Sequence, residues 1–479
     1  MQKKFLSSLF LIIALNLLIK PLAIFGIDAT VQNRVGTATY GLYFSLLNLS
    51  FLFNIFLDLG INNFTTRHIA QHPALVSQYL GKVIGLRFVL FLLYAVITLT
   101  IGLAVGYSGT TFFMLLILVF NQLLVTFIAY FRSHFGGLHL FRTDAIVSVL
   151  DKALLILICG TLLFTNITNG EFKIEWFIWI QTVCYALTLI TALLILIRQT
   201  GIPRLHFSRV FSLVIIRKSL PYALLILLMM IYTRTDSIML ERLHANGAYE
   251  AGVYAQGFRM LDALFMFGMI FSTLLLPIFS RMIKLKANGL YDLIKTSRNL
   301  LLGGAILIGF ICHSHAAWIL DLIYNQHDAA SITTFQLLMW VFVAMSISLI
   351  YSTLLTAEGD MRTLNSIALI GVAVNISLNI YLIPNYGAIG AAFATLITQI
   401  MSSIIQLVIA HRQFHFGFDF QSILSTVVFG ICLFGMPYLT DGLNLFTLQI
   451  LVGTALLFAL RLINLKQLKQ VFLERTEIN

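Results

Sequence analysis

SLPYALLILLMMIYTRTDSIML (residues 219–240) and AGVYAQGFRMLDALFMFGMIF (residues 251–271) make an apolar hairpin that carries four charges. In the first arm Arg234 and Asp236 follow a long apolar run; in the second Arg259 and Asp262 precede one. Each arm reaches the ~20 apolar residues that a membrane span needs. A charge at bilayer depth costs at least ~2.5 kcal/mol, so it faces a bundle interior or an aqueous cavity. Arginine stays protonated at physiological pH and presents forked donors that fit phosphate oxygens. The hairpin therefore predicts an all-α polytopic membrane protein with a cationic interior.

Composition extends that reading to the whole chain. Of 479 residues, 59% are hydrophobic and 10% charged, and mean hydropathy is +0.94. Soluble domains carry about a quarter charged residues, which excludes that class. The net charge of +11 does not signal nucleic acid, because the basic residues fall mostly in short loops between apolar runs. Cys159, Cys184, Cys312 and Cys432 lie in apolar segments without metal-ligand spacing and read as small buried hydrophobes. The opening MQKKFLSSLFLIIALNLLI has the lysines and apolar core of a signal peptide. No small-residue cleavage site follows it, so a retained first span is expected.

Fourteen spans are expected, at 5–30, 40–65, 82–106, 111–131, 143–165, 175–197, 219–240, 251–280, 299–323, 332–357, 363–383, 387–410, 421–439 and 444–463. The first and eighth are long enough to tilt or bend, and Pro21 sits inside the first. With a cytoplasmic N-terminus, 24 of the 30 Lys and Arg residues fall on the inner side and only Arg34, Lys173 and Arg242 in outer loops. The remaining three, Lys20, Arg234 and Arg259, lie within spans. That split places both termini in the cytoplasm. In this count Arg67, Lys82, Arg87, Arg132, Arg142 and Lys152 belong to inner segments. The longest inner connection, 198–218, links two six-helix halves and suits an amphipathic helix on the anionic leaflet. The expected organisation is a first bundle at 1–205, a second at 206–412, and two extra helices with a basic tail at 413–479.

An internal repeat accompanies that division. The second span opens Tyr40-Gly41-Leu42-Tyr43 and the eighth opens Ala251-Gly252-Val253-Tyr254, each after a span with an intramembrane cation, Lys20 or Arg234. Parallel repeats of this kind build many transporters. Counting 1.5 Å per residue to the outer span ends puts Lys20 at about 15 Å depth, Arg234 at about 9 Å and Arg259 at about 12 Å, one layer suited to an anion. Internal neutralisation competes with that reading, since Arg259 and Asp262 share a helical face. Arg234 and Asp236 point about 200° apart and do not pair readily. Asp236 and Asp262 are either proton carriers or counter-ions. Asn48, Asn54, Asn121, Gln122, Gln256, Asn375 and Asn379 also sit inside spans, where they contact sugar hydroxyls or join helices. Asp58, near the inner end of the second span and close to Arg67, is a gate or a structural partner.

No catalytic, metal or cofactor constellation is found: there is no Gly-Lys-Ser/Thr phosphate loop and no HExxH, and His313 and His315 lie on opposite helical faces. The chain is expected not to be an enzyme and to use no cofactor.

Three stretches, YGLYFSLLNLSFLFNIFLDLGINNFTTRHIA (40–70), GVYAQGFRMLDALFMFGMIFSTLLLPIFSR (252–281) and YGAIGAAFATLITQI (386–400), carry a family likeness. The sequence resembles the Wzx-type polysaccharide flippases of the multidrug/oligosaccharidyl-lipid/polysaccharide exporter superfamily. That resemblance implies two six-helix bundles around a central cavity. It implies export of an undecaprenyl-pyrophosphate-linked oligosaccharide from the cytoplasmic to the outer leaflet of the cell inner membrane, for lipopolysaccharide O-antigen, capsule or exopolysaccharide. Membrane lipids and other polysaccharide-assembly proteins are the implied partners, and proton or sodium antiport or the membrane potential the implied drive. Lys20, Arg234, Arg259, Asn48 and Gln256 are then the candidate substrate-binding residues, and Asp236, Asp262 and Asp58 the candidates for coupling or gating. The related lipid II flippases carry an arginine in each of the first two helices; here the first has Lys20 and the second no cation. Two other readings stay open, a cation-coupled multidrug exporter and a polytopic glycan polymerase or ligase. The interior cations argue against the first, and the shortness of every outer loop against the second.

Overall fold

The structure is a computed structural model that describes residues 2–62, 65, 66, 69, 76–138, 140–165, 171–201, 209–286, 289–417, 419–436, 443–460, 462 and 463. It is an all-α polytopic membrane protein. Among the described residues, eleven helices are long and apolar enough to cross a bilayer. The chain divides into two compact units, 1–252 and 253–479.

The first unit opens with α1 (Gln2–Pro21), which passes through a π-helical turn (Leu22–Asp28) into α2 (Ala29–Val35). Pro21 has no N–H to offer the preceding turn, and the wider π spacing absorbs that loss. The first span therefore ends at Val35, beyond the expected residue 30. There follow α3 (Thr37–Leu52), the short α4 (Ile55–Asp58), α5 (Val76–Ala104), α6 (Gly109–Gly137), α7 (Phe141–Phe164), α8 (Ile174–Thr200) and α9 (Arg209–Leu243). Packing pairs α6 with α8, α1 with α7 and α3 with α9. One core joins Leu80, Val83 and Leu86 to Phe127, Tyr130 and Phe135.

The unit closes on the first turns of α10 (Gly247–Leu285), which cross α3 backbone to backbone. A Cβ on Gly41 would lie 1.9 Å from the Ala248 carbonyl oxygen, and one on Gly252 2.1 Å from that of Thr37. Each glycine thus rests on the carbonyl four residues before the other. The two glycines of the repeated motif meet reciprocally, the small-residue contact that lets membrane helices approach closely.

The second unit continues with α11 (Leu290–Ser314), α12 (Ala316–Ile323), α13 (Ala329–Glu358) and the 53-residue α14 (Met361–Gln413). The expected eleventh and twelfth spans both fall within α14, which breaks at Gly387 (φ 52°, ψ −131°) three residues after Pro384. Positive φ suits glycine, and proline removes a helical hydrogen bond just before it. The last two expected spans are the shorter apolar helices α15 (Phe420–Gly435) and α16 (Leu443–Ala459). They dock on α11, Phe429, Leu433, Leu445 and Leu457 packing with Ile306 and Phe310. Asp419 caps α15 and pairs with Lys295 (3.1 Å) and Arg298 (2.9 Å) of α11. Cys159, Cys184 and Cys312 are buried as expected, whereas Cys432, on α15, is exposed.

Candidate functional site

Arg234 lies on α9 nine residues before Leu243, and α9 presents it to α3. Its Nη1 donates to Asn48 Oδ1 at 3.3 Å, and its guanidinium lies over the Phe51 ring at 5.6 Å. Asn48 in turn donates through Nδ2 to Ser237 Oγ at 2.9 Å, and Ser45 Oγ donates to the Ser237 carbonyl at 2.8 Å. Asn48 is 2% exposed, so its amide orients the half-buried arginine rather than meeting solvent. Two expected substrate-binding residues, Arg234 and Asn48, are thereby in direct contact. Asp236 is fully buried in the same helix. At the end of α9, Glu241 accepts from Tyr107 Oη (3.0 Å) and pairs with Arg242 (2.7 Å), whose guanidinium stacks on the Tyr107 ring at 4.0 Å. Burial, then the Glu241 carboxylate, pushes the Tyr107 phenol above its ordinary value, which keeps it a donor.

Lys20 belongs to a different neighbourhood. The helix runs on to Val35, fifteen residues past it, so Lys20 lies about 22 Å from that end rather than about 15 Å. It therefore sits deeper than the layer expected from the sequence. The charges acting on it are Arg132, Asp151 and Lys152, on α6 and α7. One turn earlier Asn16 Nδ2 donates to Ser148 Oγ at 3.1 Å. Asn16 bonds Ser148, and one turn on Asp151 acts electrostatically on Lys20, so α1 and α7 run parallel. On α7, Asp144, Ser148 and Lys152 recur at four-residue spacing and form one polar stripe, with Asp151 beside it. Arg132 Nε pairs with Asp144 at 2.7 Å; Lys152 Nζ lies 3.4 Å from Asp151 and donates to Tyr185 Oη at 3.2 Å.

Asp58 pairs with Arg87, 2.8 Å away on α5; Arg67, its expected neighbour, lies outside the described residues. Arg87 also donates to Asn62 Oδ1 (2.7 Å) and the Leu57 carbonyl (3.3 Å), and its guanidinium covers the Tyr130 ring at 4.6 Å. In the second unit Gln256, 2% exposed, donates to the Gln326 carbonyl at 2.9 Å and so fastens the loop after α12. Arg259 and Asp262 follow on α10, three residues apart and half-buried. Asn379 Nδ2 donates to Asn375 Oδ1 at 3.1 Å, both fully buried. His313 accepts from Trp340 Nε1 at 3.3 Å. Among the described residues no group of three His, Cys, Asp or Glu side chains could hold a metal ion.

Arg87, Arg132 and Lys152 are among the cations within spans that the sequence count assigned to inner segments. Arg87 lies within the span Val83–Ala104, Arg132 within Gly109–Gly137 and Lys152 within Phe141–Phe164. The signal was present, since residues 87 and 152 fall inside the expected spans 82–106 and 143–165.

A family model described as "Polysaccharide biosynthesis protein" matches residues 5–283. No curated protein matches the sequence. Among solved structures, the fold is similar to the lipid II flippase MurJ in an inward closed conformation. That match has a TM-score of 0.70 and 17% identity, covering 98% of this chain and 100% of that one. A multidrug resistance MATE family transporter of the MOP superfamily, inward-facing, matches with a TM-score of 0.60 and 14% identity over 83% of this chain and 94% of its own. A MOP superfamily transporter from Pyrococcus furiosus, described as having a binding pocket of reverse polarity, matches with a TM-score of 0.56 and 14% identity over 85% and 94%.

Proposed function

Because the chain belongs to the polysaccharide biosynthesis protein family, we propose that it is a flippase for an undecaprenyl-pyrophosphate-linked oligosaccharide. It moves the headgroup from the cytoplasmic to the outer leaflet of the inner membrane by alternating access of two six-helix bundles (1–205 and 206–412), with both termini cytoplasmic. The product serves surface polysaccharide such as O-antigen, capsule or exopolysaccharide, and other assembly proteins act before and after it. The observation that carries the reading is Arg234, an interior guanidinium held by Asn48 and left half-buried. A forked cation in low dielectric is the group that grips a diphosphate. Lys20 and Arg259 supply further positive charge, and Gln256 and Asn48 stand near the glycan end. Asp236 and Asp262 carry coupling protons or balance the arginines, and Asp58 is a gate or a structural partner through Arg87.

The test is genetic. Deleting the gene should trap lipid-linked repeat units on the cytoplasmic leaflet, and Arg234→Glu should fail to release them. Repeat units arriving outside at the wild-type rate in the deletion strain would sink the proposal. The fold shared with a multidrug transporter favours one rival, efflux of cationic drugs. Under that rival Arg234→Glu leaves transport intact or improves it.

A further inference from the structure

Past the end of α11 the chain leaves the bilayer core but keeps an apolar surface. Lys295 and Arg298, near the start of α11, pair with Asp419. From Lys295 to Ser314 the helix rises about 29 Å, close to the ~30 Å thickness of a hydrocarbon core. On the return, Asp328 forms a capping box with Ser331 at the start of α13, a polar cap suited to a membrane surface. The helix between them, α12 (Ala316–Ile323), therefore sits at that surface. Both of its ends are tied down. Gln449 Nε2 donates to Ser314 Oγ at 3.0 Å, and the His315 ring meets Phe446 edge-on at 5.4 Å. Beyond the helix, Gln256 donates to the Gln326 carbonyl at 2.9 Å and receives Tyr324 Oη on its own carbonyl at 3.5 Å. Ala316 and Leu320, one turn apart, are buried against the unit. Trp318 and Leu322, also one turn apart, point outward with 47% and 72% exposure. Asp321 is exposed about 60° round the helix from Trp318 and lies 3.4 Å from His327 Nε2.

We propose that α12 docks in the headgroup layer of the bilayer, with Trp318 and Leu322 dipped toward the acyl chains and Asp321 turned to water. Its partner is a lipid surface. Three features favour lipid over protein. The Trp318 ring lies 5.6 Å from Phe446, so it continues the surface of α16, an apolar helix whose exposed Leu451 faces acyl chains. Two large side chains fall far short of the ~800 Å² per partner that a stable protein contact buries. Tryptophan and leucine on one edge, with a carboxylate round the helix, is the pattern of helices that lie in the interface. The proposal needs only a membrane protein and holds whatever the cargo is. Its consequence is mechanical. Gln256 belongs to α10, so the grip of α12 on the bilayer holds that end of α10 at a fixed depth.

The experiment places one nitroxide label at a time on the full-length protein in phosphatidylcholine nanodiscs. Cys432→Ser removes the exposed native thiol, and Cys159, Cys184 and Cys312 are buried. Labels on Leu322→Cys and Asp321→Cys are read by power saturation against oxygen, which concentrates among acyl chains, and against a water-soluble nickel chelate. Both side chains are exposed, so neither label disturbs packing. The label at 322 should be relaxed several-fold more by oxygen than by nickel, and the label at 321 more by nickel. Nickel dominating at both positions would put α12 in water and overturn the docking. Oxygen dominating at both would bury the helix in the hydrocarbon core, which overturns it equally. Shielding of both positions from both reagents would mean that a protein, or a second copy of this chain, covers α12 instead of lipid.

Discussion

Two interior cations of the first unit, Arg87 and Lys20, sit at comparable cost in the membrane and are treated in opposite ways. Arg87 is 1% exposed and meets Asp58, Asn62, the Leu57 carbonyl, the Thr126 carbonyl at 3.5 Å and the face of Tyr130. Of its donors only Nε lacks a partner. Lys20 has no bonded partner among the described residues, and the charges acting on it are Arg132, Lys152 and Asp151. Donors committed in this way make a fastener, since only a buried Nε is left. An ammonium without a bonded partner instead keeps its donors available. Depth and charge alone do not separate these roles; the inventory of partners does.

The sharpest way to break that contrast is to remove each charge. Arg87→Met strands Asp58 and Asn62 beside an apolar chain, and breaking a buried pair costs about 3–5 kcal/mol. Its melting temperature in detergent should fall steeply and its yield with it, while Lys20→Met melts like wild type. Equal melting of the two variants would erase the distinction.

A second substitution asks whether packing rather than charge holds the first unit together. Any side chain on Gly41 meets the Ala248 carbonyl at 1.9 Å and the Gly252 nitrogen at 2.4 Å. Gly41→Ala must push α10 away from α3, and overpacking of this kind costs about 1–3 kcal/mol. The expected outcome is a lower melting temperature. Cysteines placed at residues 37 and 248 should also cross-link less readily. A Gly41→Ala protein that cross-links as well as its parent would show that the crossing tolerates a Cβ.

Much of this was legible in the sequence, and the failures have physical causes. Apolar run length decided the all-α membrane class, because a span is a matter of length and hydropathy, and of the fourteen expected spans the last two are shorter apolar helices. Two long helices hid their details: Pro21 is accommodated by a π turn, and one continuous helix carries two spans across Gly387. Arg234 with Asn48 was foreseeable as polar groups at similar depth. Their mutual hydrogen bond was not, since it depends on which faces of α9 and α3 meet. Lys152 escaped because a charge near the start of an apolar run looks like loop, although α7 begins at Phe141 and surrounds it. Lys20's neighbours come from α6 and α7, more than a hundred residues away, a separation that periodicity cannot bridge.

A third, smaller effect sharpens the contrast from the side of the outer arginine. Asn48→Ala removes the acceptor that steers Arg234 and the donor to Ser237, worth about 1 kcal/mol for a typical hydrogen bond. Stability should drop slightly, whereas headgroup transport in cells should drop more, because the guanidinium loses its aim. Arg234→Lys should mimic that loss with the charge retained. A transport defect no larger than the stability defect would make Asn48 a packing residue only.

The smallest expected effect tests a third kind of charge cluster, an ion pair at a helix end. Burial alone would raise the Asp419 carboxyl, but hydrogen bonds from Ser422, Lys295 and Arg298 outweigh it and hold the group down to about 2. The folded value lies below the ordinary 3.8, so the contribution is present above that value and disappears as pH falls through about 2. Asp419→Asn keeps a good helix cap and loses the two ion pairs. With Lys295 one-third exposed, the cost should be on the order of 1 kcal/mol. The difference in melting temperature between wild type and Asp419→Asn should stay constant from neutral pH to about 5 and shrink only below 3.8. A difference that already closes at pH 6 would mean that some other group controls the docking of α15 on α11.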